Sequence, residues 1–80
     1  MNFEIGKVVT FDGYCGSIVS ESGEYLFLNT NIDSNSRIEV GTLVAFRGEE
    51  VQGKKKAYFV KAAEEILHAG KSKEKIYHNL

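Results

Sequence analysis

Apolar and polar residues alternate in short bursts over the first sixty positions of this chain, with Gly-, Asn- and Asp-containing joints between the bursts. Ile5-Gly-Lys-Val-Val-Thr-Phe-Asp12 is rich in β-branched and aromatic residues and predicts a first strand. Asp12-Gly13 favours a turn directly after it. Cys15 to Asn29 reads as two strands, near 15–20 and 25–29, joined at Ser22-Gly23, with Glu21 and Glu24 keeping the tip solvated. On the second of these strands Leu26 and Leu28 share one face, while Tyr25, Phe27 and Asn29 share the other. The leucine face is expected to be core and the aromatic face to point outward.

Residues 29–38 are dense in Asn and Ser, which bond their own backbone and favour turns. A loop is expected there, with one short helical turn pinned by Ile32 or Ile38. Thr42 to Gly48 predicts a fourth strand, with Val44 and Phe46 on one face. Glu49 to Lys56 contains Gly53 and reads as a hairpin loop. Ala57 to Lys61 predicts a fifth strand, on which Tyr58 and Phe59 alternate so that one of them faces out. Five short strands without a helical period imply a small all-β sheet, and closing it into a barrel removes its exposed edges. From Ala62 the period changes. Ala63, Ile66, Leu67, Gly70, Tyr77 and Leu80 fall on one helical stripe, with Glu64 and Glu65 in the first turn, where the helix dipole favours anions. A helix near 62–69 and a weaker one near 72–79 are expected. The chain thus divides into a barrel, 1–61, and a C-terminal helical extension, 62–80.

Eighty residues make one small domain whose core is marginal on its own. With 42% hydrophobic and 26% charged residues, the composition is that of a folded protein. Net charge is −1, so no bulk field announces a polyanion partner. The exception is local: Lys54-Lys55-Lys56 is a compact basic run, with Glu49-Glu50 just before it. The single cysteine makes no internal disulfide and suits a reducing, cytoplasmic setting. The start of the chain lacks a signal-peptide pattern, and no apolar run approaches a membrane span.

Little in the sequence points to catalysis or metal binding. A nucleophilic Cys15 needs a base and a low pKa, and neither His68 nor His78 stands at diagnostic spacing. A closed zinc site needs four clustered ligands, and none are spaced for one. No enzyme activity, metal or cofactor is expected, and the two histidines read as surface residues of the C-terminal helix.

The order Gly6-Lys7-Val8, Phe11-Asp12, Gly16-x-Ile18, Leu26-Phe27-Leu28, Val40-Gly41-x-x-Val44-x-Phe46, Gly53-Lys54 and Ala57-x-x-Val60 resembles a cold-shock domain over about residues 5–61. The resemblance implies a five-stranded OB-type barrel that binds single-stranded nucleic acid and, with Val60 aligned as core, turns Tyr58 inward and Phe59 outward on the fifth strand. The family's first ribonucleoprotein motif, Lys-Gly-Phe-Gly-Phe-Ile, aligns so that Cys15 and Ser17 stand where two stacking Phe normally do. Its second motif, Val-Phe-Val-His-Phe, becomes Leu26-Phe27-Leu28-Asn29-Thr30. Its Lys-Trp-Phe on the first strand becomes Val9-Thr10-Phe11. Since each base–ring stack is worth roughly 1–3 kcal/mol, these losses imply binding weakened by several kcal/mol.

The implied contact face is Lys7, Phe11, Phe27, Asn29 and Lys54, Lys55 and Lys56, with Tyr14 and Tyr25 as further platforms. Phe27 is the expected stacking ring, and the lysines are expected to contact phosphates. Each has a plainer alternative: Tyr14 packs on its turn, the lysines solvate a hairpin tip, and Asn29 satisfies the loop that begins there. The expected partner is single-stranded RNA or DNA, bound weakly and with low sequence preference. The competing expectation is a protein-interaction module that reuses the barrel, with residues 62–80 docking on the barrel, on a second copy or on a partner protein.

Overall fold

The computed structural model describes residues 3–63. Five strands, β1 (Phe3–Phe11), β2 (Cys15–Ser20), β3 (Gly23–Leu28), β4 (Leu43–Val51) and β5 (Lys54–Ala62), close into a barrel in the order β1-β2-β3-β5-β4. All contacts are antiparallel except the closing seam, where β3 and β5 run parallel with Leu26 opposite Lys56. A short 3-10 turn, Asn29–Asn31, follows β3, and the side chain of Asn31 accepts from the Leu28 N–H at 2.9 Å. The fourth and fifth strands are longer than expected. The Glu49–Lys56 loop shrinks to a tight turn at Gln52-Gly53, both with positive φ, as a type I′ hairpin turn requires. The expected helix near 72–79 lies outside the described residues, as does the one near 62–69 beyond Ala63; Ala62 still belongs to β5.

The interior is built from Val8, Ile18, Tyr25, Phe27, Val44, Phe46, Ala57 and Val60. Ile32 and Ile38 both pack against it from the long loop, where one of the two was expected to pin a short turn. The phase of β3 is the reverse of expectation. Tyr25 and Phe27 are buried, at 6% and 2% exposure, whereas Leu26 and Leu28 are each 55% exposed. Two glycines explain the inversion. Gly16 lies directly across from Phe27, and a Cβ there would come within 2.8 Å of the Phe27 ring and overlap the Thr10 carbonyl oxygen. Gly48 does the same for Tyr25, whose ring would lie 2.6 Å from a Cβ at that position. The barrel therefore takes its rings inside, where glycines leave room for them.

The Tyr25 hydroxyl does not go unpaired. It donates to the Glu4 carboxylate at 3.0 Å and lies 2.9 Å from the Ser22 hydroxyl. Ser20 and Ser22 also donate to Glu4. These bonds hold the Glu4 carboxyl below its ordinary value of 4.5, Ser22 contributing most, with desolvation opposing them.

The register shifts between Val8 and Thr10 where β1 meets β2, and again where β4 meets β5. Ala45 pairs with Lys61 and Arg47 with Tyr58, so Phe46 alone opposes both Phe59 and Val60. This is a β-bulge, and Phe59 occupies its left-handed position at φ 53°, where glycine is usual. The extra residue turns both Tyr58 and Phe59 outward, correcting the inward orientation expected for Tyr58; it is half-buried and Phe59 is 62% exposed.

Candidate nucleic-acid interface

The barrel register sets out the outward face of β1, β2 and β3 as rows. Lys7, Val19 and Glu24 make one row. Thr10, Ser17 and Leu26 make the next, and the parallel seam adds Lys56 to it. Cys15 and Leu28 make the third. An open depression of about 820 Å³ lies over the last two rows, within the size range of small-ligand clefts, roughly 300–1,000 Å³. Its apolar floor is Leu26, Leu28, Phe11 and Phe27, and its polar groups are Thr10, Ser17, Asn31, Lys56 and Tyr58. The Thr10 and Ser17 hydroxyls hydrogen-bond to each other at 2.7 Å.

Opposite charges border the site. Lys56 is exposed on β5, and the ion pair found among the described residues engages its cross-strand neighbour Glu49 with Arg47 instead, at 3.2 Å. Asp12 and Glu24 stand on the rim. Asp12 accepts from the N–H groups of Cys15 at 2.9 Å and Tyr14 at 2.8 Å, which shape the β1–β2 turn and hold its carboxyl below the usual range. It is therefore anionic at neutral pH and opposes a phosphate there. The Cys15 thiol is exposed beside Leu28, 3.9 Å from Asp12.

The expected contact residues divide into three groups. Phe11 lines the site, half-buried, its ring 5.4 Å from that of Phe27. Lys56 lines it too, from within β5 rather than from a loop. Lys7 shares the outward face one row away. Tyr14, 76% exposed, stands at the turn closing the far end, where its carbonyl accepts from the Asn29 N–H at 2.8 Å; Asn29 is exposed there.

Three expectations need correction. Phe27 is in the core at 2% exposure, so although it lines the site it presents no open stacking face. Tyr25 is buried at the other end of the barrel. Lys55 is turned away, donating to the Ser22 carbonyl with its ammonium 5.6 Å from the Tyr25 ring centroid. Lys54 is exposed at the start of β5, next to the hairpin turn. The sequence reading missed Leu26, Leu28, Ser17 and Tyr58. The glycines across from the aromatic positions were the available signal.

Together the barrel topology, the parallel seam and the β1–β3 outer face define the fold as an OB-type barrel of the cold-shock kind. Among solved structures it is similar to a Drosophila protein chain described as Unr CSD456, with a TM-score of 0.64 and 19% identity. The match covers 76% of this chain and 26% of that one, so this chain spans about a quarter of its length. At that identity the likeness is one of fold. No protein-family model matches the sequence, and no curated protein matches it. Among the described residues no helix is long and apolar enough to cross a membrane.

Proposed function

We propose that this chain binds single-stranded nucleic acid weakly and with low sequence preference on the outward face of β1, β2 and β3. The observation that carries this reading is the row Thr10, Ser17, Leu26 and Lys56. It sets hydroxyls, an apolar surface and a cation side by side across three strands and the closing seam. Bases pack on Leu26, Leu28 and the exposed part of Tyr58. Thr10, whose hydroxyl is tied to that of the buried Ser17, meets base edges, and Lys56 and Lys7 neutralise phosphates. Leucine lacks the flat π-surface that makes base stacking strong, and Asp12 and Glu24 repel the backbone, so both apolar and electrostatic gains are small. The role is binding rather than catalysis.

A second reading is favoured by one observation: Leu26 and Leu28, adjacent outward positions on one strand, are each more than half exposed. Such a pair also suits a protein partner with apolar side chains. Fluorescence anisotropy of a labelled oligothymidylate separates the two. Binding at low salt that weakens steeply with added salt supports the first reading. No binding at high micromolar protein and low salt refutes it and leaves the protein-contact reading standing.

A further inference from the structure

A second apolar depression opens beside the first, and the two share Tyr58 and Asn31. Here stand the rings that the β1–β3 face lacks. Phe59 is 62% exposed and Phe3 is 55% exposed, and both line this depression together with Tyr58. Lys61 supplies a cation, and Asp33 is the acidic group at the site.

The geometry points to an extension of the nucleic-acid path from the Leu26–Leu28 face across Tyr58 and Asn31 onto Phe59 and Phe3, whose rings stack bases while Lys61 meets a phosphate. This inference rests on the nucleic-acid reading proposed above and names a second set of platforms for the same strand. Three features support it. The two depressions share Tyr58 and Asn31 in their linings, so a strand leaving one passes these two residues to enter the other. The composition, exposed rings beside a lysine, is what sequence-tolerant binding of single strands uses. The ring at position 59 is displayed at a conformational cost. Phe59 holds a left-handed backbone that glycine would adopt freely, and an exposed phenylalanine there returns no core packing. A residue that adds strain and sits in solvent is explained by what its ring meets.

The same strain supplies a clean test. Phe59→Gly removes the ring while keeping the bulge, in a conformation glycine favours, so the variant is expected to fold. Phe3→Ala, at an exposed ring on a different strand, is the independent arm. Both are made in the full chain and titrated with labelled dT12 by fluorescence anisotropy at low salt, beside the wild type. Each is expected to weaken binding by about tenfold, one stacked base. Amide shifts on adding dT12 to the wild type are expected at Thr30 to Asp33 and Tyr58 to Lys61 as well as along β2 and β3. If the wild type binds no strand, both this inference and the reading beneath it are wrong. If it binds, but both variants match it and the shifts stay on β2 and β3, this inference alone is overturned. A change in sedimentation of Phe59→Gly with unaltered affinity also overturns it, by making the rings a protein contact.

Discussion

The face assigned to ligand depends on the phase of β3, and two adjacent residues of that strand test it directly. Leu26→Ala and Phe27→Ala remove neighbouring side chains that point in opposite directions. Phe27 is 2% exposed, lies across from Gly16 and packs its ring against Phe11 at 5.4 Å. Truncating such a buried ring costs about 3–5 kcal/mol, transfer and cavity together. A protein of 80 residues has total stability on the order of 4–12 kcal/mol, so the loss takes a large share. With a urea slope of about 1 kcal/mol/M for a domain this small, the midpoint falls by roughly 3–5 M or the variant is unfolded without denaturant. Leu26 is 55% exposed, and surface truncations of that kind change stability by about 0.5 kcal/mol or less. Its midpoint should move by no more than about 0.5 M on the same slope. Urea melts followed by far-ultraviolet circular dichroism give both numbers. Gly16→Ala adds a control, because its new methyl meets the Phe27 ring and the Thr10 carbonyl oxygen and should destabilise although it adds apolar area. A Leu26→Ala variant less stable than Phe27→Ala refutes the buried-ring arrangement and moves the candidate interface to the other face of the strand.

Three further outcomes are expected. The Glu4 carboxyl has its folded pKa depressed by Ser22, Ser20, Tyr25 and Lys55, so its stabilising contribution is present above its ordinary value of 4.5 and is lost as pH falls through the lower folded value. Glu4→Gln should flatten that acid limb in urea midpoints collected from pH 6 down to pH 3, and an unchanged limb contradicts the network's role. Lys56→Gln should weaken oligonucleotide binding and reduce the slope of log affinity against log salt by about 0.7, one phosphate contact on a single strand; an unaltered slope places Lys56 off the path. Leu26→Phe places a ring at an outward position and should tighten binding by about tenfold, one stack, whereas equal or weaker binding in anisotropy titrations argues against bases at that row.

Much of the barrel was legible because its strand positions carry β-branched and aromatic residues between recognisable turns. Val44 and Phe46 lie in the core on the one face their alternation gave them, and Ile18 and Val60 lie there as the family resemblance implied. The phase of β3 was not legible from alternation, since Tyr25-Leu-Phe-Leu28 is apolar on both faces and a period of two fits either. The deciding information lay on other strands, in Gly16 and Gly48. Lys54 to Lys56 read as loop because a charge run usually marks solvent. In the barrel they form strand, with Lys55 opposite Glu50 and Lys56 opposite Glu49 across the hairpin, so the preceding acidic pair was the clue. The bulge at Phe59 left no sequence mark at all: glycine is the residue that signals such a position, and here the chain places phenylalanine.

That substitution connects the fold to the candidate function. The outward face of β1, β2 and β3, which the proposed path follows, carries few rings. Here Cys15, Ser17, Leu26 and Leu28 occupy that face, and the rings of β3 serve the core instead. One inserted residue in β5 then breaks the alternation between Ala57 and Val60, both buried, and sends two consecutive rings outward. Without the bulge, a strand of strict alternation would carry at most one of Tyr58 and Phe59 on its outer face. Aromatic surface is thus withdrawn from β3 and returned beside the closing seam, next to Lys56 and Lys61. The two changes compensate only if a ligand spans them, which is why the affinity of the whole face, rather than of either depression alone, is the quantity that these substitutions should move.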